Sequence, residues 1–174
     1  MTKKKWEKIL AEQIPQLVRY AKALTRNSEL VEDLLQDCLE RAWQKRDLWD
    51  SRRHIRPWLF SIMHNVFINQ QKRLSLHCNN KSVMLVEVEQ ANLSSIDTHS
   101  ELLELRDFET AFDKLKPIER EIILLAGLEG LSYKEIATIT NCPVGTVMSK
   151  LSRAREKLRR LMNTEETDNV VQLR

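Results

Sequence analysis

Glycine and proline are scarce in this chain, with three and four residues among 174. Strands need frequent turns, and turns depend on these two residue types. Their scarcity therefore favours a mostly helical structure. The hydrophobic fraction of 42% and the charged fraction of 30% are typical of a globular protein rather than a disordered tail.

Cysteine is also rare, and Cys38, Cys78 and Cys142 form an odd set without CxxC spacing. A reduced, intracellular protein without disulfides is the simplest account. The basic residues 1–8 are not followed by the apolar run of a signal peptide. No stretch approaches the roughly 20 apolar residues of a membrane span. We therefore expect a cytoplasmic protein, unless a partner holds it at the inner membrane.

Catalytic motifs are missing as well. The sequence contains no P-loop, no nucleophile elbow and no cluster of metal-ligating residues. Its histidines have no metal-ligand spacing: His54, His64, His77 and His99. The sequence predicts a protein that is not an enzyme and that has no cofactor, no metal and no small-molecule substrate.

Charge is unevenly distributed, although the net charge is only +3. Residues 41–73 contain eight Lys or Arg and two acids, and residues 140–160 contain six Lys or Arg and one acid. Residues 76–113 between them contain eight acids and two bases. This pattern indicates two surfaces that face a polyanion, with solvated helix faces as the alternative interpretation.

Hydrophobic periodicity predicts consecutive helices in the first half. The first covers residues 6–13, and a second begins at Pro15. Ser28 is the expected N-cap of a helix over residues 29–45. A polar loop over residues 46–56 leads to a helix that runs from Pro57 to about residue 74. Its core stripe consists of Leu59, Ile62, Met63 and Val66, and five residues are expected partly or wholly outside this stripe: Phe60, His64, Asn65, Phe67 and Asn69.

Residues 75–100 show no sustained period and contain five Ser and three Asn. A segment of this length exceeds the loops that are usual inside one compact domain. We therefore predict an all-α protein with two small helical domains, residues 1–74 and 101–163, joined by a flexible linker at residues 75–100. Residues 164–174 are expected to form a frayed tail.

The strongest motif is a helix-turn-helix between Leu131 and Leu161. Ser132 and Glu135 form the S-x-x-E capping box of a short helix, and residues 141–143 supply a turn. The following helix has an apolar stripe of Val147, Leu151, Ala154, Leu158 and Leu161. Its other face is polar and basic, as a helix that reads the DNA major groove requires: Thr146, Ser149, Lys150, Ser152, Arg153, Arg155, Lys157 and Arg160.

These segments resemble the extracytoplasmic-function sigma factors. LKPIEREIILLAGLEGLSYKEIA followed by CPVGTVMSKLSRAREKL is similar to the promoter-binding domain of that family. VEDLLQDCLERAWQK and RPWLFSIMHNVFINQQKR are similar to its polymerase-binding and promoter-melting helices. The resemblance covers roughly residues 10–160, with the motifs in order.

The resemblance implies a sigma factor that binds core RNA polymerase and directs promoter recognition and opening. It assigns three sets of residues. The polymerase-binding set is Asp33, Gln36, Asp37, Glu40 and Arg41. The set for the downstream promoter element is Arg52, Arg53, Trp58, Asn65 and Asn69. The set for the upstream promoter element is Thr146, Ser149, Lys150, Ser152, Arg153 and Arg155. It also implies an anti-sigma factor as partner, wedged between the two domains.

Simpler interpretations remain open for several of these residues. The polar face of the 29–45 helix has the composition of an ordinary solvated face. The indole of Trp58 fits a core position better than a contact with DNA. The amide of Asn65 has the donor and acceptor that a captured base needs, but it could equally satisfy a neighbouring loop carbonyl.

The alternative function is a conventional helix-turn-helix regulator with an N-terminal sensor or dimerisation domain. That alternative leaves the 29–45 face and the basic 52–73 stretch without a role. One position departs from the family pattern: Met148 stands where family members commonly have Lys or Arg. We therefore assign no sequence to the upstream element.

Overall fold

The computed structural model describes residues 3–25, 27–78 and 99–171, with the backbone alone at residues 75–78, 99–104 and 164–171. These ranges form seven α-helices and one short 3-10 helix, with no strand. The helices are α1 (Lys3–Thr25), α2 (Ser28–Gln44), α3 (Ile55–Cys78), α4 (His99–Asp113), α5 (Pro117–Gly127), α6 (Tyr133–Thr140) and α7 (Val144–Val171), and the 3-10 helix is Arg46–Leu48. The predicted all-α fold class is confirmed.

The helices form two groups. α1, α2 and α3 pack together in the first half, where α2 contacts both other helices. In the second half α4, α5 and α6 all pack on α7. The linker predicted at residues 75–100 lies mostly outside the described residues, and α3 extends to Cys78. α7 runs to Val171, beyond Asn163, where the sequence predicts the end of regular structure.

The prediction of a helix boundary at Pro15 is wrong, because α1 continues through this proline. A proline inside a helix removes one backbone hydrogen bond and costs about 3 kcal/mol. Trp6 and Leu10 precede it and are buried, at 1% and 7% exposure. Burying large apolar side chains of this kind contributes about 1.5–3 kcal/mol each, so packing offsets the cost of continuing the helix.

The N-cap of α2 is one residue earlier than predicted. Asn27 has an extended backbone, and its side-chain oxygen accepts a hydrogen bond from the Leu30 amide at 3.2 Å. Ser28 is the first helical residue. Both residue types cap helices well, so composition alone does not separate them.

α3 is buried on more of its circumference than its predicted stripe implies. The stripe from Leu59 to Val66 is buried as expected, but Phe60, His64 and Phe67 are buried too, at 1%, 8% and 1% exposure. The placement of these three outside the core is therefore wrong. The reason is tertiary, since α3 packs against α2 in its own domain and against α6 in the second.

The two groups of helices meet where α1 contacts α5 and α3 contacts α6. Glu129 lies in this seam with a fully buried side chain. Arg19 of α1 approaches its carboxylate at 3.0 Å and Arg56 of α3 at 2.8 Å. Arg56 also donates to the Glu129 carbonyl at 3.1 Å. Gly130 follows with a φ of 62°, which glycine adopts without steric cost, and this turns the chain after α5.

A second polar pair crosses the same seam. His64 Nδ1 of α3 lies 2.7 Å from Glu121 Oε1 of α5, and both side chains are buried. Burial raises the pKa of Glu121, and the contact with His64 opposes that shift. Tyr20 of α1 is buried nearby, and burial together with the Glu121 charge raises the pKa of its phenol. Buried carboxylates are stable only when they are paired, so this seam requires a defined register between the domains.

We predict that Glu129→Gln lowers the free energy of unfolding by about 1–3 kcal/mol, because it removes the charge that two arginines contact. Glu156→Gln is the matched control. Glu156 also accepts from two arginines, at 2.7 and 3.1 Å, but its side chain is 47% exposed. The control should lose less than about 1 kcal/mol. Urea titration measures both, and equal losses would show that burial at the seam adds nothing.

Candidate nucleic-acid and polymerase interfaces

α6 and α7 form the predicted helix-turn-helix. Ser132 Oγ accepts from the Glu135 amide at 3.3 Å, and the Glu135 carboxylate accepts from the Ser132 amide at 2.8 Å, which confirms the capping box. The Ser132 hydroxyl also donates to the Glu135 carboxylate at 2.7 Å, and this hydrogen bond, followed by the one from the Ser132 amide, lowers the pKa of Glu135. At the end of α6, Asn141 takes a left-handed conformation with φ of 50°. Asparagine tolerates this conformation well, so the turn into α7 is tight.

The inner side of α7 anchors it to the domain. Val147, Leu151, Ala154 and Leu158 are buried, and Leu161 is half-buried. The predicted stripe is therefore confirmed. Lys157 adds an ion pair with Glu119 at 2.8 Å, which joins α7 to the start of α5. Lys157 thus has a structural contact in addition to its place on the basic face.

The other side of α7 is exposed. Four of the residues predicted for the upstream element are exposed: Ser149, Ser152, Arg153 and Arg155. The other two, Thr146 and Lys150, are half-buried. Arg153 Nε donates to the Ser149 carbonyl at 3.2 Å, and Lys150 Nζ lies 3.7 Å from Cys142 Sγ. All six residues predicted for the upstream element therefore lie within the first half of α7, the helix that its buried stripe anchors to the domain.

α2 separates its apolar and polar sides clearly. Val31, Leu34, Cys38 and Ala42 are buried, and burial raises the pKa of the Cys38 thiol to about 12. On the polar side Asp33, Gln36 and Glu40 are exposed, whereas Asp37 and Arg41 are half-buried. The structure thus brings the predicted polymerase-binding residues onto one helix side, where a partner can reach them.

The loop before α3 carries two exposed arginines. Arg52 Nε lies 3.2 Å and Arg53 Nε 3.9 Å from the carboxylate of Asp50. The hydrogen bond from the Arg52 amide, followed by that from its side chain, lowers the pKa of Asp50. Both arginine side chains are more than 80% exposed. They are accessible to a phosphate backbone.

Trp58 belongs mainly to an aromatic cluster. Its ring packs edge-on against Trp6, with centroids 5.8 Å apart, and Trp6 also contacts Trp49 at 5.6 Å. The Trp58 side chain is half-buried against the core. This geometry agrees with the core interpretation of Trp58, and only its uncovered part is accessible to DNA.

Asn65 and Asn69 are exposed on α3. They are four residues apart and therefore share one side of the helix. Asn65 Nδ2 donates to the Ser61 carbonyl at 2.7 Å, which is a contact inside the helix and not with a loop. Asn65 lies ten residues beyond the start of α3, about 15 Å along the axis. Arg52 and Arg53, which precede α3, are therefore well separated from Asn65 along the helix axis.

The polar residues of the seam were not predicted as a group. Arg19, Arg56, His64, Glu121 and Glu129 come from four different segments, and Arg19 and Glu129 are 110 residues apart. No local spacing in the sequence indicates such a contact. For His64 the sequence predicts no metal-ligand role and a position partly or wholly outside the core stripe of α3, not a buried contact with Glu121. In the described part of the chain, no group of three His, Cys, Asp or Glu residues could hold a metal ion.

The described helices include none that is long and apolar enough to cross a membrane.

Two family models match the chain, one in each half. The model described as "Sigma-70, region 4" matches residues 105–158, which contain α5 and α6 and the first half of α7. The model described as "Sigma2 domain of PhyR" matches residues 10–64, which contain α2 and the start of α3.

Named relatives extend this similarity over most of the chain. The ECF RNA polymerase sigma factor EcfG of Rhodopseudomonas palustris is 31% identical over 156 residues, which cover 90% of this chain and 84% of that protein. The ECF RNA polymerase sigma factor SigM of Bacillus subtilis is 27% identical over 151 residues, or 86% of this chain and 90% of the relative.

Solved structures agree. The sigma factor RpoE from Bartonella quintana, in complex with the anti-sigma factor NepR, matches with a TM-score of 0.74 and 32% identity, over 92% of this chain and 98% of that chain. CnrH in complex with the cytosolic domain of CnrY has the same fold, with a TM-score of 0.66. Since the similarity covers both domains in order, the chain belongs to the extracytoplasmic-function family of RNA polymerase sigma factors, which direct transcription initiation.

Proposed function

We propose that this sigma factor works through three exposed helix sides. The polar side of α2 binds core RNA polymerase. The outer side of α3, with the loop before it, acts on the downstream promoter element. The outer side of α7 binds the upstream promoter element. The observation that carries the proposal is the helix-turn-helix, in which α7 is anchored by a buried stripe while its polar side remains exposed.

The upstream assignment follows from what major-groove recognition requires. Bases are contacted from the N-terminal turns of the recognition helix, and phosphates are contacted by flanking Lys and Arg. Ser149, Ser152 and Arg153 lie in the first three turns of α7, whereas Arg160 lies about 10 Å further along the axis. Short hydroxyl side chains let the helix approach the base edges, and Arg153 has the bidentate donors that guanine accepts.

The polymerase assignment rests on the exposed polar side of α2. Asp33, Gln36 and Glu40 keep their side chains in solvent, although the opposite side of the same helix is fully buried. Exposed carboxylates on a packed helix attract a basic partner surface and fix its register. We infer that this side docks on the clamp helices of core polymerase.

The downstream assignment rests on Asn65 and Asn69. Both are exposed on a helix whose other sides are covered by α2 and α6. An Asn amide can donate to and accept from a base edge. Arg52 and Arg53, exposed in the preceding loop, supply positive charge for the backbone of the same DNA segment. Trp58 supports this site by packing, since its ring rests on Trp6.

We also propose that the protein acts in the cytoplasm, that it is controlled by an anti-sigma factor, and that it has no catalytic activity of its own. RpoE is in complex with the anti-sigma factor NepR, and CnrH, which has the same fold, is in complex with the cytosolic domain of CnrY. A partner of this kind would cover both domains at their seam and could hold the protein at the inner membrane. Binding energy alone is sufficient for the proposed role.

The proposed function is tested by adding the full chain to core RNA polymerase in a run-off transcription assay on the organism's promoters. Core enzyme alone should give no specific transcript, and the chain should restore one. Asp33→Lys should weaken binding to core polymerase and reduce the transcript, because it reverses a charge on the docking side of α2.

Glu12→Lys is the matched control for this prediction. Glu12 is exposed on α1, outside the three proposed surfaces, so the same reversal there should leave transcription unchanged. Circular dichroism checks that both variants keep their helix content. Equal binding by the parent and the Asp33 variant would contradict the docking assignment, and absence of any specific transcript would contradict the function as a whole.

Arg153→Ala is expected to relax sequence preference at one position of the upstream element. A bidentate base contact contributes about 1–3 kcal/mol of discrimination, whereas a phosphate contact changes affinity evenly and reduces the salt dependence. Arg160→Ala should therefore weaken all sites alike. Binding of holoenzyme to a set of single-base variants of the upstream element separates the two effects. Unchanged selectivity in the Arg153→Ala variant would show that Arg153 does not recognise bases.

Asn65→Ala is expected to slow strand opening without lowering stability. Asn65 is exposed, and its hydrogen bond to Ser61 stays within α3, so alanine should maintain or slightly increase helix stability. Loss of a base contact should reduce transcription from duplex promoters, because extruding a base costs a few kcal/mol. A template with a pre-melted bubble no longer needs this energy and should restore activity.

Thr110→Ala is the control for the loss of such a hydrogen bond. Thr110 is exposed on α4 and donates to the carbonyl four residues earlier, at 2.9 Å. It should affect neither opening nor bubble rescue. Permanganate footprinting and a melting curve are the two measurements. A lower melting temperature for Asn65→Ala with no rescue on bubble templates would assign Asn65 a structural role.

A further inference from the structure

Met148 is exposed at the start of the recognition helix. It opens the second turn of α7, and its exposure of 52% contrasts with 0% for Val147 and 2% for Leu151 on the inner side. Met148 therefore takes no part in the stripe that anchors the helix. An apolar side chain that is left in water here gains nothing from the fold of this domain.

The neighbours of Met148 on the helix surface are small or apolar. Val144, one turn earlier, is 38% exposed. A Cβ atom added at Gly145 would meet no other atom within 4 Å, so the surface beside Met148 is open. Ser149 and Ser152 are exposed and short. Methionine is longer than all four, so its thioether extends beyond the surface that they form.

A base edge in the major groove offers few apolar partners. The four base pairs present hydrogen-bond donors and acceptors, and the one apolar group among them is the C5-methyl of thymine. A thioether forms only weak hydrogen bonds, so it cannot replace the water on a donor or acceptor. A methionine side chain that enters the major groove is therefore best accommodated against a thymine methyl. In that contact both apolar groups are removed from water, which is favourable.

We propose that Met148 is a specificity-determining residue that recognises the methyl group of a thymine in the upstream promoter element. This inference rests on the proposed role of α7 in binding that element. Burying about one methyl group changes affinity roughly fourfold. Met148 thus discriminates thymine from cytosine and from deoxyuridine at one position, while the hydrogen-bonding residues of α7 act at others.

The experiment uses holoenzyme assembled from core polymerase and the full chain. DNA duplexes that are randomised in the upstream region are first enriched by binding to the parent holoenzyme. Each thymine of the enriched element is then replaced by deoxyuridine, which removes the methyl group and keeps every hydrogen-bonding group. Affinities are measured for the parent, Met148→Gln, Met148→Leu and Ile14→Ala. Ile14 is an exposed apolar residue of α1 that belongs to none of the three proposed surfaces.

At one thymine, deoxyuridine should weaken binding by the parent about fourfold. In Ile14→Ala and in the apolar variant Met148→Leu, deoxyuridine should still weaken binding by most of this factor. Met148→Gln has a side chain of nearly the same length but polar, and it should bind the thymine and deoxyuridine duplexes with equal affinity. A methyl effect of equal size in Met148→Gln, or no methyl effect in the parent, overturns the inference and leaves the proposed function intact. Failure to enrich any upstream sequence contradicts the proposed function itself, and the inference with it.

Discussion

α3 is enclosed from two directions, by α2 of its own domain and by α6 of the other, and the arrangement of the molecule depends on this double burial. Phe60, His64 and Phe67 of α3 are buried in addition to its predicted stripe. Tyr20 of α1 adds an edge-on ring contact with Phe60 at 4.9 Å. The uncovered part of α3 includes Asn65 and Asn69, which we propose to act on the downstream element. Packing thus determines where this helix can present polar groups.

The seam between the domains is partly polar, and this affects how firmly they are joined. An ionised carboxylate such as that of Glu129 is costly to bury unless it is paired. Both of its partners, Arg19 and Arg56, are themselves partly exposed, at 54% and 36%. These side chains are already partly in solvent, so separation of the domains transfers mainly the carboxylate to water. Such a seam favours one register over others but holds less firmly than an apolar interface of equal area.

Local patterns predicted most of the elements. The capping box at Ser132, the buried stripe of α7 and the two-sided character of α2 all depend on residues within a few positions of each other, and all three are confirmed. The errors have non-local causes. α1 continues through Pro15 because its first turns are packed, and His64 is buried where it contacts Glu121 of α5. Glu129 could not be identified from sequence, since its partners Arg19 and Arg56 are distant along the chain.

The seam is formed by α1 with α5 and by α3 with α6, and the proposed binding surfaces lie outside these contacts. Each surface keeps exposed residues while the domains are in contact: Asp33 and Glu40 on α2, Asn65 on α3 and Arg153 on α7. Contact between the domains therefore does not by itself cover any of the three surfaces. It fixes their relative positions instead, because each surface belongs to a helix that is packed into the shared core. Two promoter elements on one DNA lie at a set distance, so the relative positions of the surfaces matter directly for the promoter recognition that we propose.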